Sequence, residues 1–265
     1  MECFLYHTVV LNFPRKRTQH FLETIDSKPA SFFATRVQRL YLTDQVSFDA
    51  AKKILSVCTG LSTLACWVHP LLGLSPGPAE PLLPLLSSNS SLHRLSVRIH
   101  RLIEWRNDGS NITELFNHPI FQNLTHLDIV TPPGAVYPEG HEEKDSPSLR
   151  KGVWESLSII PKLKHISFGQ VHIHRTDHHR DIIRSLPYLL DNCPSLEDLV
   201  VVTTDHCVVD AVSTIKDPRC RAIPYFSFPK TLDTFWDDLS CGGYGAKDFW
   251  DLTTRSSKDG VTVGE

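Results

Sequence analysis

Five histidines fall within a short stretch of this chain: His165, then His172, His174, His178 and His179. Imidazoles two residues apart on a strand share a face, so His172 and His174 could together hold a divalent metal such as zinc. The remaining parts of a metal enzyme are absent from the pattern. No H-E-x-x-H helix occurs, and Asp177 and Asp181 suit the start of a helix as well as they suit ligation. Solvated loop histidines leading into a helix are the expectation, with His172, His174, His178 and His179 kept as the candidates for the metal alternative. The glycine-rich run Cys241-Gly242-Gly243-Tyr244-Gly245 lacks the G-K-[ST] ending of a phosphate loop and reads as a turn. No G-x-S-x-G nucleophile turn is present. Seven cysteines are scattered without a C-x-x-C pair, which suggests reduced thiols rather than a zinc ribbon or a disulfide framework. Cys58 and Cys193 each precede a recurring apolar phrase by three residues, as small buried residues would. Neither an enzyme nor a cofactor is expected.

That phrase is the dominant feature of the sequence. An apolar residue, two variable residues, an apolar residue, one variable residue and an apolar residue recur six times. The copies are Val37/Leu40/Leu42, Leu61/Leu64/Cys66, Leu92/Leu95/Val97, Leu124/Leu127/Ile129, Leu163/Ile166/Phe168 and Leu196/Leu199/Val201. Tyr6, Val9 and Leu11 form a further copy at the start. The copies begin 24, 31, 32, 39 and 33 residues apart, periods that suit a strand-plus-helix unit. The last two apolar positions share one face of a strand, and the first can tuck inward from the turn before it.

Helical spacing separates several copies. Ala50, Ala51, Ile54 and Leu55 predict one helix, and Val153, Trp154, Leu157 and Ile160 predict another that stops at Pro161. Ile182, Ile183, Leu186 and Leu190 predict a third, capped by Asp177 or Asp181 and kinked or split by Pro187. Val208, Val209, Val212 and Ile215 predict a fourth. The opening residues read as a buried strand that ends in a basic turn near Lys16 and Arg17.

Strand, helix and parallel strand in succession imply an α/β fold. It is expected to be a leucine-rich-repeat-like solenoid, with a parallel sheet on one face and helices on the other. One domain is expected over 1–252, with loops at 70–91 and 131–148 and an aromatic C-terminal cap over 222–252. Residues 253–265 are expected to be a flexible tail. Phe226, Phe228, Phe235, Trp236, Phe249 and Trp250 are the aromatics of that cap.

Variable positions of the strands should face outward and, in a curved stack, line the concave side. Arg39, Tyr41, Trp67, Arg94, Arg98, His126, Asp128, His165 and Asp198 are therefore the candidates for binding a protein partner. Bulk properties agree with that use. The 265 residues are 41% apolar and 22% charged, and the formal net charge of −3 carries no general basic excess for nucleic acid. No apolar run reaches the roughly 18 residues that span a membrane. The start lacks the order of a targeting segment, so a cytoplasmic or nuclear location is expected, and the N-x-S/T sequons at Asn89, Asn111 and Asn123 are read as chance matches.

The segments LYHTVVL at 5–11, SKPASFFATRVQRLYL at 27–42 and LTHLDIV at 124–130, the run Cys193-Pro194-Ser195-Leu196-Glu197-Asp198-Leu199, and the stretch from Trp236 to Trp250 carry a resemblance. In their order they resemble the F-box/leucine-rich-repeat-like proteins of mushroom-forming fungi, over most of residues 5–250. In that family an N-terminal F-box docks on a Skp-type adaptor of a cullin–RING ubiquitin ligase, and the repeats present a substrate. The resemblance therefore implies non-catalytic substrate recognition for a ubiquitin ligase. No L-P-x-E-like F-box segment precedes the repeats in this sequence, so docking on a Skp-type adaptor is not expected. A freestanding repeat scaffold is the alternative within the same class.

Overall fold

The computed structural model describes residues 6–11, 16–43, 45–68, 83–97, 116–130, 154–169, 177–203 and 205–224. The chain divides into two units, Met1–Pro224 and Tyr225–Glu265. The second unit holds the glycine-rich run, the terminal aromatics and the tail, all outside the described residues, as is the 131–148 loop.

All six complete phrases become parallel strands of one sheet. The strands are β1 (Thr8–Leu11), β2 (Arg39–Leu42), β3 (Thr63–Cys66), β4 (Arg94–Val97), β5 (His126–Val130), β6 (His165–Gly169), β7 (Asp198–Thr203) and β8 (Cys220–Pro224). Each lies beside its neighbours in sequence, in the order β1 to β8, and every pairing is parallel. Parallel pairing needs a return crossover, and each connection contains a helical element. These are α1 (Lys16–Ser27), α2 (Ala30–Arg36), α3 (Phe48–Val57), α4 (Leu83–Leu86), α5 (Asp177–Asn192) and α6 (His206–Ser213). Short 3-10 helices at Pro119–Phe121 and Glu155–Ile159 serve β4–β5 and β5–β6. The fold is thus α/β, an eight-stranded parallel sheet with helices. No helix among the described residues is long and apolar enough to cross a membrane.

The phrase works because all three of its apolar positions are used. Leu40, Leu64, Leu95, Leu127, Ile166 and Leu199 stand in register, and all are at most 2% exposed. The second inward row, from Leu42 to Val201, is equally buried, and the leading residues from Val37 to Leu196 are at most 3% exposed. Between the leading residue and the strand, one carbonyl accepts two N–H groups of the next copy. Gln38 O takes Ser62 and Thr63, Ser62 O takes His93 and Arg94, and His93 O takes Thr125 and His126. Thr125 O takes Lys164 and His165, and Lys164 O takes Glu197 and Asp198. A carbonyl has two lone pairs, so this repeated junction satisfies both donors at the start of each strand.

The helical stripes hold with three corrections. In α3, Ala50, Ala51, Ile54 and Leu55 are buried, and the Ser47 side chain caps the start by accepting from Ala50 N. The 154–160 segment is a 3-10 helix rather than an α-helix, because Trp154, Leu157 and Ile160 recur every three residues and align on a helix of that pitch. Val153 lies outside the described residues. Helix α5 runs through Pro187 unbroken, with Ile182, Leu186 and Leu189 fully buried beneath it. Asp181 is not its cap: it lies in the second turn, where its carbonyl accepts from Ser185 Oγ. In α6, Val208 and Val212 are buried, and Asp205 caps by accepting from Cys207 N.

Two regions depart from the sequence expectation. Lys16 and Arg17 open a twelve-residue helix, α1, rather than a turn, because Thr18, Phe21 and Ile25 form a buried stripe behind them. Phe33 of α2 meets Phe21, Phe32 and Tyr6 edge-on at 5.7, 5.2 and 6.5 Å, and so ties α1, α2 and the start of β1 together. At the other end, Ala222–Pro224 belongs to β8 and not to an aromatic cap. Cys58 and Cys193 are buried small residues as expected, with desolvation pushing their thiols up to about 12 and about 11.

Candidate functional site

The sheet's outward face carries two rows that the strand register defines. The entry row runs Thr8, Arg39, Thr63, Arg94, His126, His165 and Asp198. The second row runs Val10, Tyr41, Ala65, Ser96, Asp128, Ser167, Val200 and Arg221. Seven of the nine candidate residues therefore lie together on this face, and Trp67 joins them one residue past β3. Arg98 lies outside the described residues.

The two rows differ in access. Tyr41 and Trp67 are 3% exposed, Ser96 2% and Ser167 1%. Arg39, Arg94, His126, Asp128 and His165 keep partial exposure, while Asp198 is buried. Tyr41, Trp67 and Asp198 point outward from the core yet are enclosed, so they are not surface side chains.

The second row is joined by hydrogen bonds. Trp67 Nε1 donates to Ser96 Oγ at 2.9 Å, and Ser96 Oγ donates to Asp128 Oδ2 at 2.6 Å. Ser167 also bonds Asp128. Desolvation raises the Asp128 carboxyl to about 6, against the pull of both serine hydroxyls.

The entry row is joined by histidines. His126 and His165 stack with centroids 4.1 Å apart and planes 19° apart. Thr125 Oγ1 lies 2.8 Å from His126 Nδ1 and 3.1 Å from His93 O, and so ties the ring to the backbone of the preceding copy. Desolvation first, then repulsion from the neighbouring basic groups His165, Arg94, Lys164 and His93, lowers the His126 pKa to about 3. His165 Nδ1 bonds Asp198 Oδ2 at 3.1 Å, and Arg221 Nη2 donates to Asp198 Oδ1 at 2.7 Å. Desolvation lowers the His165 pKa, although Asp198 and Glu197 pull the other way.

These contacts can order side chains and recognise polar groups. Among the described residues, no group of three His, Cys, Asp or Glu side chains is placed to hold a metal. His172 and His174 lie outside the described residues. His178 and His179 belong to the first turn of α5, but their side chains lie outside the description.

Ser96, Ser167 and Arg221 bond candidate residues and were not singled out by the phrase. The two serines occupy the same outward position as Tyr41 and Asp128, so the phrase itself marked their place. Arg221 had no such signal, because β8 lacks the leading apolar residue: Asp217 stands three residues before Cys220.

Comparison with family models, with curated proteins and with solved structures finds no match to this chain.

Proposed function

We propose that the chain is a non-catalytic protein-recognition module, a leucine-rich-repeat-like solenoid of the kind that presents substrate in F-box-type ubiquitin-ligase receptors. One observation carries this reading: the same phrase repeats in consecutive parallel strands in register, with its apolar positions inside and its variable positions in rows across the outward face. Stacked repeats gain stability from neighbour contacts and leave such rows to vary, which is how repeat proteins bind partners. Polar side chains of the rows are tied to one another, so the groups presented are ordered before a partner arrives. Pre-ordering lowers the entropy lost on association.

Site-specific photo-crosslinking tests the reading. A benzophenone side chain placed at exposed Gln38, His93 or Lys164 is expected to capture a protein partner from the native cell extract. The same probe at Glu23 or Arg184, on helices, should not. Adducts from the helix positions alone, or from none, overturn the proposal. A Skp-type adaptor recovered with the captured complex supports the ligase receptor. A partner recovered without it supports the freestanding scaffold.

A further inference from the structure

Each junction between copies has two halves: a carbonyl on one strand, and two N–H groups on the strand after it. Strand β1 supplies the carbonyl half to β2, since His7 O accepts from Gln38 N at 3.1 Å and from Arg39 N at 3.0 Å. Thr8 is level with Arg39 in the register, so the N–H groups of His7 and Thr8 stand where those of Gln38 and Arg39 stand, and form the other half of a junction. They point away from β2. His7 O and Leu11 O face β2, and Val9 follows the same alternation, so the N–H and C=O groups of Thr8 and Val10 lie on the opposite edge as well. Strand β1 is the outermost of the sheet, and among the described residues nothing bonds these groups. It also lacks the devices that blunt an edge, because its sequence is Thr-Val-Val-Leu, with neither a proline nor a charge. The last strand differs: β8 ends on Pro224, which has no N–H. On the inward side of the β1 end, Val9 and Leu11 are buried, and partly exposed Tyr6, Leu22 and Phe32 pack against the same core.

We infer that the free edge of β1 takes an extended segment of a partner protein as a further parallel strand. The segment carries the chain's own phrase. One of its carbonyls accepts both N–H groups of His7 and Thr8, and its apolar residues, two apart, fall on the inward side beside Val9 and Leu11. Continuity fixes the direction, because every pairing in the sheet is parallel and five consecutive junctions beyond β2 use the same shared carbonyl. In such strand addition, main-chain hydrogen bonds supply affinity and alternate side chains supply specificity. A second copy fits less well. Two β1 edges related by a two-fold axis would pair antiparallel, and antiparallel bonds run one to one, without the shared carbonyl that this edge is built to meet. The edge is a different surface from the outward face proposed above, and its occupant is bonded through the backbone rather than through the side chains of the rows.

The test is fluorescence polarisation of the full chain with a labelled peptide of residues 124–130, LTHLDIV, which is one copy of the phrase. Saturable binding is expected. In this peptide Leu127 and Ile129 take the places that Val9 and Leu11 hold against β2, and so donate to β1, whereas His126 and Asp128 donate away from it. N-methylation of Leu127 and Ile129 should weaken binding by at least about tenfold, and N-methylation of His126 and Asp128 should leave it unchanged. Val10→Pro removes an N–H from the free edge and none from the bonds to β2, and should weaken binding by about tenfold or more. The two methylated peptides read the same edge in the unaltered chain if that variant does not fold. Absence of saturable binding, equal losses with both methylated peptides, or undiminished affinity in a folded Val10→Pro chain overturns the inference. So does a dimer, seen by light scattering, that excludes the peptide and is dissociated by Val10→Pro, because the edge then belongs to a second copy. Photo-crosslinking at His93 and Lys164 reads the outward face separately, so failure at one surface leaves the reading of the other standing.

Discussion

Acid should act on this fold through two neighbouring groups of opposite sign. His126 is lowered to about 3 in the folded chain, from an ordinary value of 6.5. Its charged form is disfavoured by folding, so stability is lost as pH falls from about 6.5 toward about 3. Asp128 is raised to about 6 from 3.8. Its contribution is fully present below 3.8 and is lost as pH rises through about 6, so acidification restores stability there. Between pH 7 and pH 5 the linkage relation gives at most about 2 kcal/mol lost at His126 and at most about 1 kcal/mol regained at Asp128, partial exposure of both groups holding the values down. His165 is lowered as well and acts in the same direction as His126. Urea unfolding at pH 7, 6 and 5, followed by tryptophan fluorescence, measures the balance. Relative to the unaltered chain, His126→Gln should gain about 1–2 kcal/mol between pH 7 and pH 5, and Asp128→Asn should lose about 1 kcal/mol over the same interval. If both variants give profiles parallel to that of the unaltered chain, desolvation of the outward face is not what sets these two groups.

The interior gives further expectations. Leu127→Ala removes a side chain that is 1% exposed from the middle of the inward row, and should cost about 2–5 kcal/mol, read as a lowered urea midpoint. Gly60→Ala would drive a methyl group into the backbone oxygen of Ala34, so the loop before β3 must move away from α2; a loss of about 1–3 kcal/mol is expected from the same unfolding curve. Cys207 is exposed, whereas the Cys58 thiol is buried and pushed up to about 12. Peptide mapping after brief maleimide treatment of the native chain should find label on Cys207 and none on Cys58, which should label only in denaturant.

The strands, and the interior they share, were legible in the sequence because one local rule generates them. Side chains two apart on a strand point the same way, so Leu40 and Leu42, or Leu127 and Ile129, had to enter one interior together. Helices with an apolar stripe were legible for the same reason, as at Ala51, Ile54 and Leu55. The 3-10 turn at Glu155–Ile159 and the unbroken passage of α5 through Pro187 depend on tertiary packing, since the two segments lie against each other and Trp154 meets Phe168 of β6 edge-on. Local spacing does not encode that. Strand β8 lacks the leading apolar residue, and tertiary pairing with β7 makes it a strand.

Residue type and spacing alone determined which side chains face away from the core: Arg39, Arg94, His126, His165 and Asp128 are outward because their neighbours must be inward. Tertiary structure decided what those side chains became. Register brought His126 onto His165, Asp198 onto Arg221, and Ser96 onto Asp128 from positions 23 to 39 residues apart in the chain. It also enclosed Tyr41 and Trp67, which alternation along a strand could only place on the outer side. Alternation specifies direction, whereas burial, hydrogen bonding and proton affinity depend on what distant parts of the chain bring alongside.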